Sequence, residues 1–304
     1  MRKIILLLLL SLTLSACSAN RANPPESAKT EFTDAIGQII AVDDCENVVV
    51  CSGSFAQIWT LAGGTVLATT ADAFDDGYIK HGEAENVGSA HNPGLELVIA
   101  QNPSLVILFA DMEGHVKLLE PLASANIKTA YFSVDDFDDY LDMLKICADM
   151  TGRDDLYEQN GLQIKSRIDA IIDKANDKPS PKILLVRAGA GKVVSRGSDT
   201  MAGIMLKNMG CVNIADSNSI LLEDLSMEII IQEDPDFIFA TYMGDEEKSQ
   251  KTLRDILQNN PAWSGLSAVK NNRYIVLPKD LFHQKPNNRW AESYEYLWGI
   301  LYGQ

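Results

Sequence analysis

Two distant stretches of this chain follow one plan. Residues 92–110, NPGLELVIAQNPSLVILFA, align with residues 225–242, LSMEIIIQEDPDFIFATY. In each, a Glu (Glu96, Glu228) opens an apolar helical stretch, a Pro (Pro103, Pro235) follows seven residues later, and an apolar strand comes at once. Upstream, SFAQIWTLAGGTV (54–66) aligns with TMAGIMLKNMGCV (200–212), each read as a short helix closed by a glycine, Gly64 or Gly210. Shared features in a shared order predict two related lobes.

The strand-like runs are Val48 to Cys51, Leu105 to Phe109, Lys128 to Phe132, Lys182 to Val186, Phe237 to Ala240 and Tyr274 to Leu277. They are short and continuously apolar, as strands covered on both faces are, and helical patterns separate them. The fold class is therefore α/β, two Rossmann-like lobes with mainly parallel sheets. Between them, residues 135–177 place Leu141, Leu144, Ile164, Ile168 and Ile171 at helical spacing, which predicts one long connecting helix with a kink or break at Thr151-Gly152-Arg153. The boundaries read as N-terminal lobe 32–134, connecting helix 135–178 and C-terminal lobe 179–304.

The start of the chain has a separate purpose. Arg2 and Lys3 precede an apolar run to Leu14, and Leu14-Ser15-Ala16-Cys17 follows. Such an order is an export signal, and the run is too short for a stable span of about 20 residues. A Cys after small residues resembles the lipobox of bacterial lipoproteins, which makes residues 1–16 the leader and Cys17 the lipidated N-terminus. Residues 17–31, rich in small residues, Pro and charge, read as a flexible tether. The expected location is the extracytoplasmic side of the cell membrane, held by more than one acyl chain.

Composition narrows the functions. A formal charge of −16 disfavours nucleic acid, whose phosphates select Lys and Arg. Cys45, Cys51, Cys147 and Cys211 match no metal or redox spacing, and buried thiols or a Cys45–Cys51 bridge are both open. His81, His91, His115 and His283 are unpaired at metal-ligand spacing, so no bare-metal site is expected. RAGAGK (187–192) lacks the spacing and the Ser or Thr of a phosphate loop and reads as a turn.

These segments in this order, with the lipobox, resemble the substrate-binding proteins of ABC importers for iron-siderophore, haem and cobalamin, over essentially the whole mature chain. The resemblance implies two chelatase-like lobes on a helical backbone and no catalysis or cofactor. A small metal chelate would lie between the lobes, and a permease with its ATPase would be the partner. It also implies that Glu96 and Glu228 dock into basic pockets on the permease, where two carboxylates on rigid helix starts pair with Arg. The carrier is expected to be a monomer. A ferric siderophore is the first expectation for the cargo; haem or a corrinoid, or a chelatase-like enzyme, is the alternative.

Ligands of such sheets bind outside the carboxyl ends of the strands. That rule places Ser54 and Phe55 after the first strand, Phe109 at the end of the second, Arg187 after KILLV, Arg196 before the Thr200 helix, and Tyr242 after FIFAT. Leu277 to Asn288 reads as a loop before a helix from Trp290 to Leu301. His283 and Arg289, in this aromatic segment, complete the candidates for an anionic or flat ligand.

Overall fold

The computed structural model describes residues 30–303 except 44 and 224. The leader, Cys17 and nearly all of the expected tether therefore lie outside the described residues. Thr30 and Glu31, given to the tether by sequence, instead belong to a strand, Thr30–Thr33, which pairs antiparallel with Ile39–Val42.

Each half is built on its own sheet. The first has the order Glu85–Asn86, Val66–Thr69, Val48–Val50, Leu105–Phe109, Thr129–Phe132, with every neighbouring pair parallel. The second runs Lys192–Ser195, Lys182–Gly189, Phe237–Tyr242, Tyr274–Val276, with only the Lys192–Ser195 edge antiparallel. In the first sheet the chain moves one way from Val48–Val50 and later returns to its other side. This reversal leaves a crevice at the strand ends, the usual place for a ligand in such a sheet.

The internal repeat is visible in the backbone. Both helices that carry the repeated Glu, Leu95–Ala100 and Met227–Glu233, are followed by a left-handed residue directly before the Pro: Asn102 at φ 50° and Asp234 at φ 42°. Asn and Asp tolerate this conformation better than other side chains. Upstream, the Gly53–Leu61 helix is turned by Gly63 at φ 88°, not by Gly64. Gly64 is required for a different reason: a Cβ there would stand 2.1 Å from the Trp59 ring.

The connection is not one uninterrupted helix. Phe137–Thr151 starts in a capping box between Asp136 and Asp139 and stops at Gly152, left-handed at φ 69°. A second rod continues from Asp154 to Asn176, with a π turn at Glu158–Leu162. Side chains fix that turn: Tyr140 donates to the Asn160 carbonyl at 2.8 Å, and Asn160 Nδ2 donates to the Leu61 carbonyl at 2.9 Å. The C-terminal helix, Trp290–Tyr302, packs on the rod, where Arg167 pairs with Glu295 at 2.7 Å. One apolar cluster joins Val48, Phe55 and Ile107 of the first sheet to Ile183, Phe237 and Phe239 of the second through these helices. Two further clusters close the outer face of each sheet. The halves are thus braced by a shared core, and their relative position is set by side-chain packing.

The cysteines resolve one open question. Cys51, Cys147 and Cys211 are buried thiols with no bridge, so there is no Cys45–Cys51 disulfide. Burial pushes the Cys51 and Cys211 thiols up to about 12, which keeps them protonated and inert.

Candidate functional site

The crevice begins where Val48–Val50 ends. Ser52 precedes the Gly53–Leu61 helix, and the first amide of that helix donates to Asp72 Oδ2 at 2.7 Å. Asp72 therefore takes the place an anion would occupy at this helix start. Ser54 is half-buried; its hydroxyl lies 3.2 Å from that of Ser52, and its carbonyl accepts from Asn287 Nδ2 at 2.9 Å. Asn287 also donates to Gln57 Oε1 at 2.6 Å, so this fully buried amide fastens one lobe to the other.

Phe55 and Phe109 come together, but as core. Their rings stack at 4.0 Å, and Phe55 has no exposed surface while Phe109 retains 9%. Phe109 forms the floor of the crevice and Phe55 supports it from behind, so the expectation of ligand contact does not extend to Phe55.

On the opposite wall, Arg187 and Arg196 face the same way because of hairpin register. Arg187 pairs with Val194, and the Arg196 amide donates to the Leu185 carbonyl at 2.8 Å, so all four side chains share one face. Both arginines are half-buried, and neither guanidinium has a hydrogen bond or an acid partner among the described residues; the Nε of each is buried and unsatisfied. Burial and the nearby Arg196 charge lower the Arg187 pKa. His283 stands in the same positive field: burial first, then Arg187, Lys279 and Lys285, hold its imidazole below the usual range.

Two candidates fall elsewhere. Tyr242 pairs with Ala188, one step past Arg187, and packs in the outer cluster of the second sheet. Strand alternation thus turns it away from Arg187, and Thr241 occupies the position on the shared face. Arg289 is neutralised by Asp280 at 2.8 Å and Glu292 at 2.9 Å, so it has less to offer an anion than the unpaired arginines. It lines an inter-lobe cavity of about 230 Å³ with Gln57, Tyr78, Asp280 and Lys285. The segment around it is more ordered than the expected loop, with helical turns at Lys279–Phe282 and Asn287–Arg289.

Sequence reasoning missed the acids of the first wall, Asp111 and Asp135, which a bridging Ser133 hydroxyl links. It also left Lys285 and Asn287 outside the committed site. Each follows a strand end or Pro286, but nothing in their spacing distinguishes them from surface residues.

Glu96 and Glu228 are both exposed in the first turn of their helices, and neither has an ion pair among the described residues. Exposed apolar side chains adjoin both, Leu97 near the first and Ile231 near the second. Among the described residues no three His, Cys, Asp or Glu side chains are grouped to hold a bare metal ion, and no helix is long and apolar enough to cross a membrane.

His115 is the buried titratable group beneath the crevice. Its Nδ1 accepts from the Phe109 amide at 2.9 Å, which leaves Nε2–H to donate to the Ala90 carbonyl at 2.5 Å. Burial is the main cause of its lowered pKa. Since the unfolded chain binds the proton more readily, His115 and His283 contribute stability that is complete above about pH 6.5 and declines as pH falls toward their folded values. The thermal midpoint should fall across that interval, and the His115→Asn/His283→Gln double variant should flatten the slope. An undiminished slope in that variant would refute this account.

The periplasmic binding protein family model matches residues 34–281. The chain belongs to that family. An Fe(3+)-citrate-binding protein of Bacillus subtilis, YfmC, is 24% identical over 290 residues, covering 90% of this chain and 88% of that protein. An ABC transporter substrate-binding protein from Listeria monocytogenes superposes with a TM-score of 0.67 at 17% identity, covering 86% of this chain and all of the other. SirA of Staphylococcus aureus, solved with staphyloferrin B, reaches 0.70 at 18% identity, covering 90% and 98%. Family membership fits the two-sheet architecture and the crevice between its halves.

Proposed function

We propose that this protein captures a ferric chelate, a ferric siderophore, in the crevice between its lobes and delivers it to the permease and ATPase of an ABC importer. It acts as a monomeric carrier, not a catalyst, tethered through lipid on Cys17 outside the cytoplasmic membrane. The observation that carries this reading is the pair of half-buried arginines, Arg187 and Arg196, left without an acid partner among the described residues. Buried guanidinium groups are ordinarily paired, and a chelate's anionic oxygens supply the missing partner. The relative named for Fe(3+)-citrate and the neighbour solved with staphyloferrin B support this class of cargo.

The direct test is titration of the mature protein with ferric siderophores, ferric citrate, haemin and cobalamin, followed by intrinsic tryptophan fluorescence. Saturable quenching by a ferric chelate is expected; response only to an amino acid or sugar would overturn the reading.

Delivery is tested separately. With Glu96 and Glu228 exposed and away from the arginines, Glu96→Ala and Glu228→Ala should leave chelate affinity within about twofold while uptake by cells falls, and more steeply in the double variant. Loss of affinity in both single variants would remove the docking role.

A further inference from the structure

The two walls of the crevice carry opposite charge. Arg187, Arg196 and His283 line the C-terminal wall. On the facing wall Ser133 donates to Asp111 and lies 3.5 Å from Asp135, so one hydroxyl couples two exposed carboxylates. Asp139, beside them, is committed elsewhere: its Oδ2 accepts the amides of Asp135 and Asp136 at 2.8 and 3.2 Å. Asp111 and Asp135 have no such commitment to backbone amides among the described residues.

An ammonium already sits on this wall. Lys285 reaches across from the opposite lobe to place Nζ 3.5 Å from Asp135 Oδ1, with only 18% of its side chain exposed. Burial works against its charge, and Asp135, Asp139 and Asp111 favour it. Resting on the chelate reading above, we propose that Lys285 is a tethered occupant of an ammonium subsite, and that the cargo is an amine-bearing ferric chelate. The metal-bound oxygens of the chelate face Arg187 and Arg196, and its amine replaces Lys285 at Asp111 and Asp135.

Exchange of one ammonium for another is energetically mild. The resident contact is long and carried on a flexible four-carbon stem, so little is lost when it opens. A chelate anionic on all sides meets the opposite result, because two carboxylates confront it across the crevice. Lys285 and the acid pair thus select for mixed charge.

A matched pair of probes isolates the amine: ferrioxamine B, a ferric trihydroxamate with a pendant ammonium, and its N-acetyl derivative, identical except that the charge is capped. Ferric dicitrate serves as the polyanion. In calorimetric titrations of the mature chain, the amine form should bind about tenfold tighter than the capped form, as a charge-assisted hydrogen bond implies. Asp111→Asn/Asp135→Asn should erase that preference and improve ferric dicitrate binding, and Lys285→Met should widen the preference. Equal binding of the matched pair by the wild type would overturn the proposal, as would Lys285→Met weakening all three probes alike, the mark of a plain inter-lobe tie. Failure of every ferric chelate in the wider panel would instead remove the chelate reading itself.

Discussion

The Arg187→Ala/Arg196→Ala double variant should lose ferric chelate affinity by roughly a hundredfold or more, and either single variant by about 10- to 150-fold. A hydrogen bond to a charged group contributes about 1.5–3 kcal/mol where water is largely excluded, and both guanidinium groups are half-buried. The two losses will not simply add, since the side chains share one anion. Stability should move the other way. In the ligand-free protein two like charges stand together without an acid among the described residues, and burial already opposes the charge on Arg187. Removing them relieves that opposition, so the thermal midpoint of the double variant should equal or exceed that of the wild type. Calorimetric titration and thermal unfolding on the same preparation read both effects. Unchanged affinity in the double variant removes these arginines from the site, and a lowered midpoint with unchanged affinity makes them structural.

That combination, costly for the fold and useful for a ligand, could not be read from composition. Sequence identifies Arg187 as a residue following an apolar run and Arg196 as a loop residue near a helix. Their convergence depends on the register of the hairpin, Val186 opposite Ser195, which follows from the two-residue Ala190-Gly191 turn. Register also decides the outcome for Tyr242. Residues at a strand end alternate between faces, and a shift of one position separates a crevice-facing Thr241 from a Tyr242 packed in the outer cluster. Apolar runs reveal a strand covered on both sides, but the same property hides which side each residue takes.

The repeat was legible because its signals are local and strong. A Glu in a first helical turn, a Pro after the helix and a continuous apolar strand each follow from short-range physics, and both copies fold accordingly. Weaker elements escaped. Val66–Thr69, Lys192–Ser195 and the two-residue strands Glu85–Asn86 and Val212–Asn213 are short enough that their pairing partners, far along the chain, define them. The connecting segment shows the same division. Its apolar spacing marks helix, and Gly152 marks the break, but the π turn at Glu158–Leu162 arises from tertiary bonds through Tyr140 and Asn160.

Phe55→Ala should produce the largest loss of stability of any substitution near the site, about 3–5 kcal/mol, and lower the thermal midpoint by roughly 10 °C. The ring is fully buried, stacked at 4.0 Å on Phe109 and set edge-on at 6.4 Å to Phe132, so truncation opens a cavity beneath the floor of the crevice. Its position gives that cavity a functional consequence. Phe55 lies in the first turn of the helix whose opening amide bonds to Asp72, and the adjacent Ser54 carbonyl accepts the Asn287 amide from the other lobe. Loosening this turn loosens the inter-lobe fastening, so chelate affinity should fall as well. Phe55→Leu separates support from contact. A leucine refills most of the volume, and it should restore most of the midpoint with affinity within about twofold of wild type if Phe55 acts only from behind. A Phe55→Leu protein that unfolds normally but has lost the chelate would show that the ring meets cargo directly, which its complete burial behind Phe109 argues against.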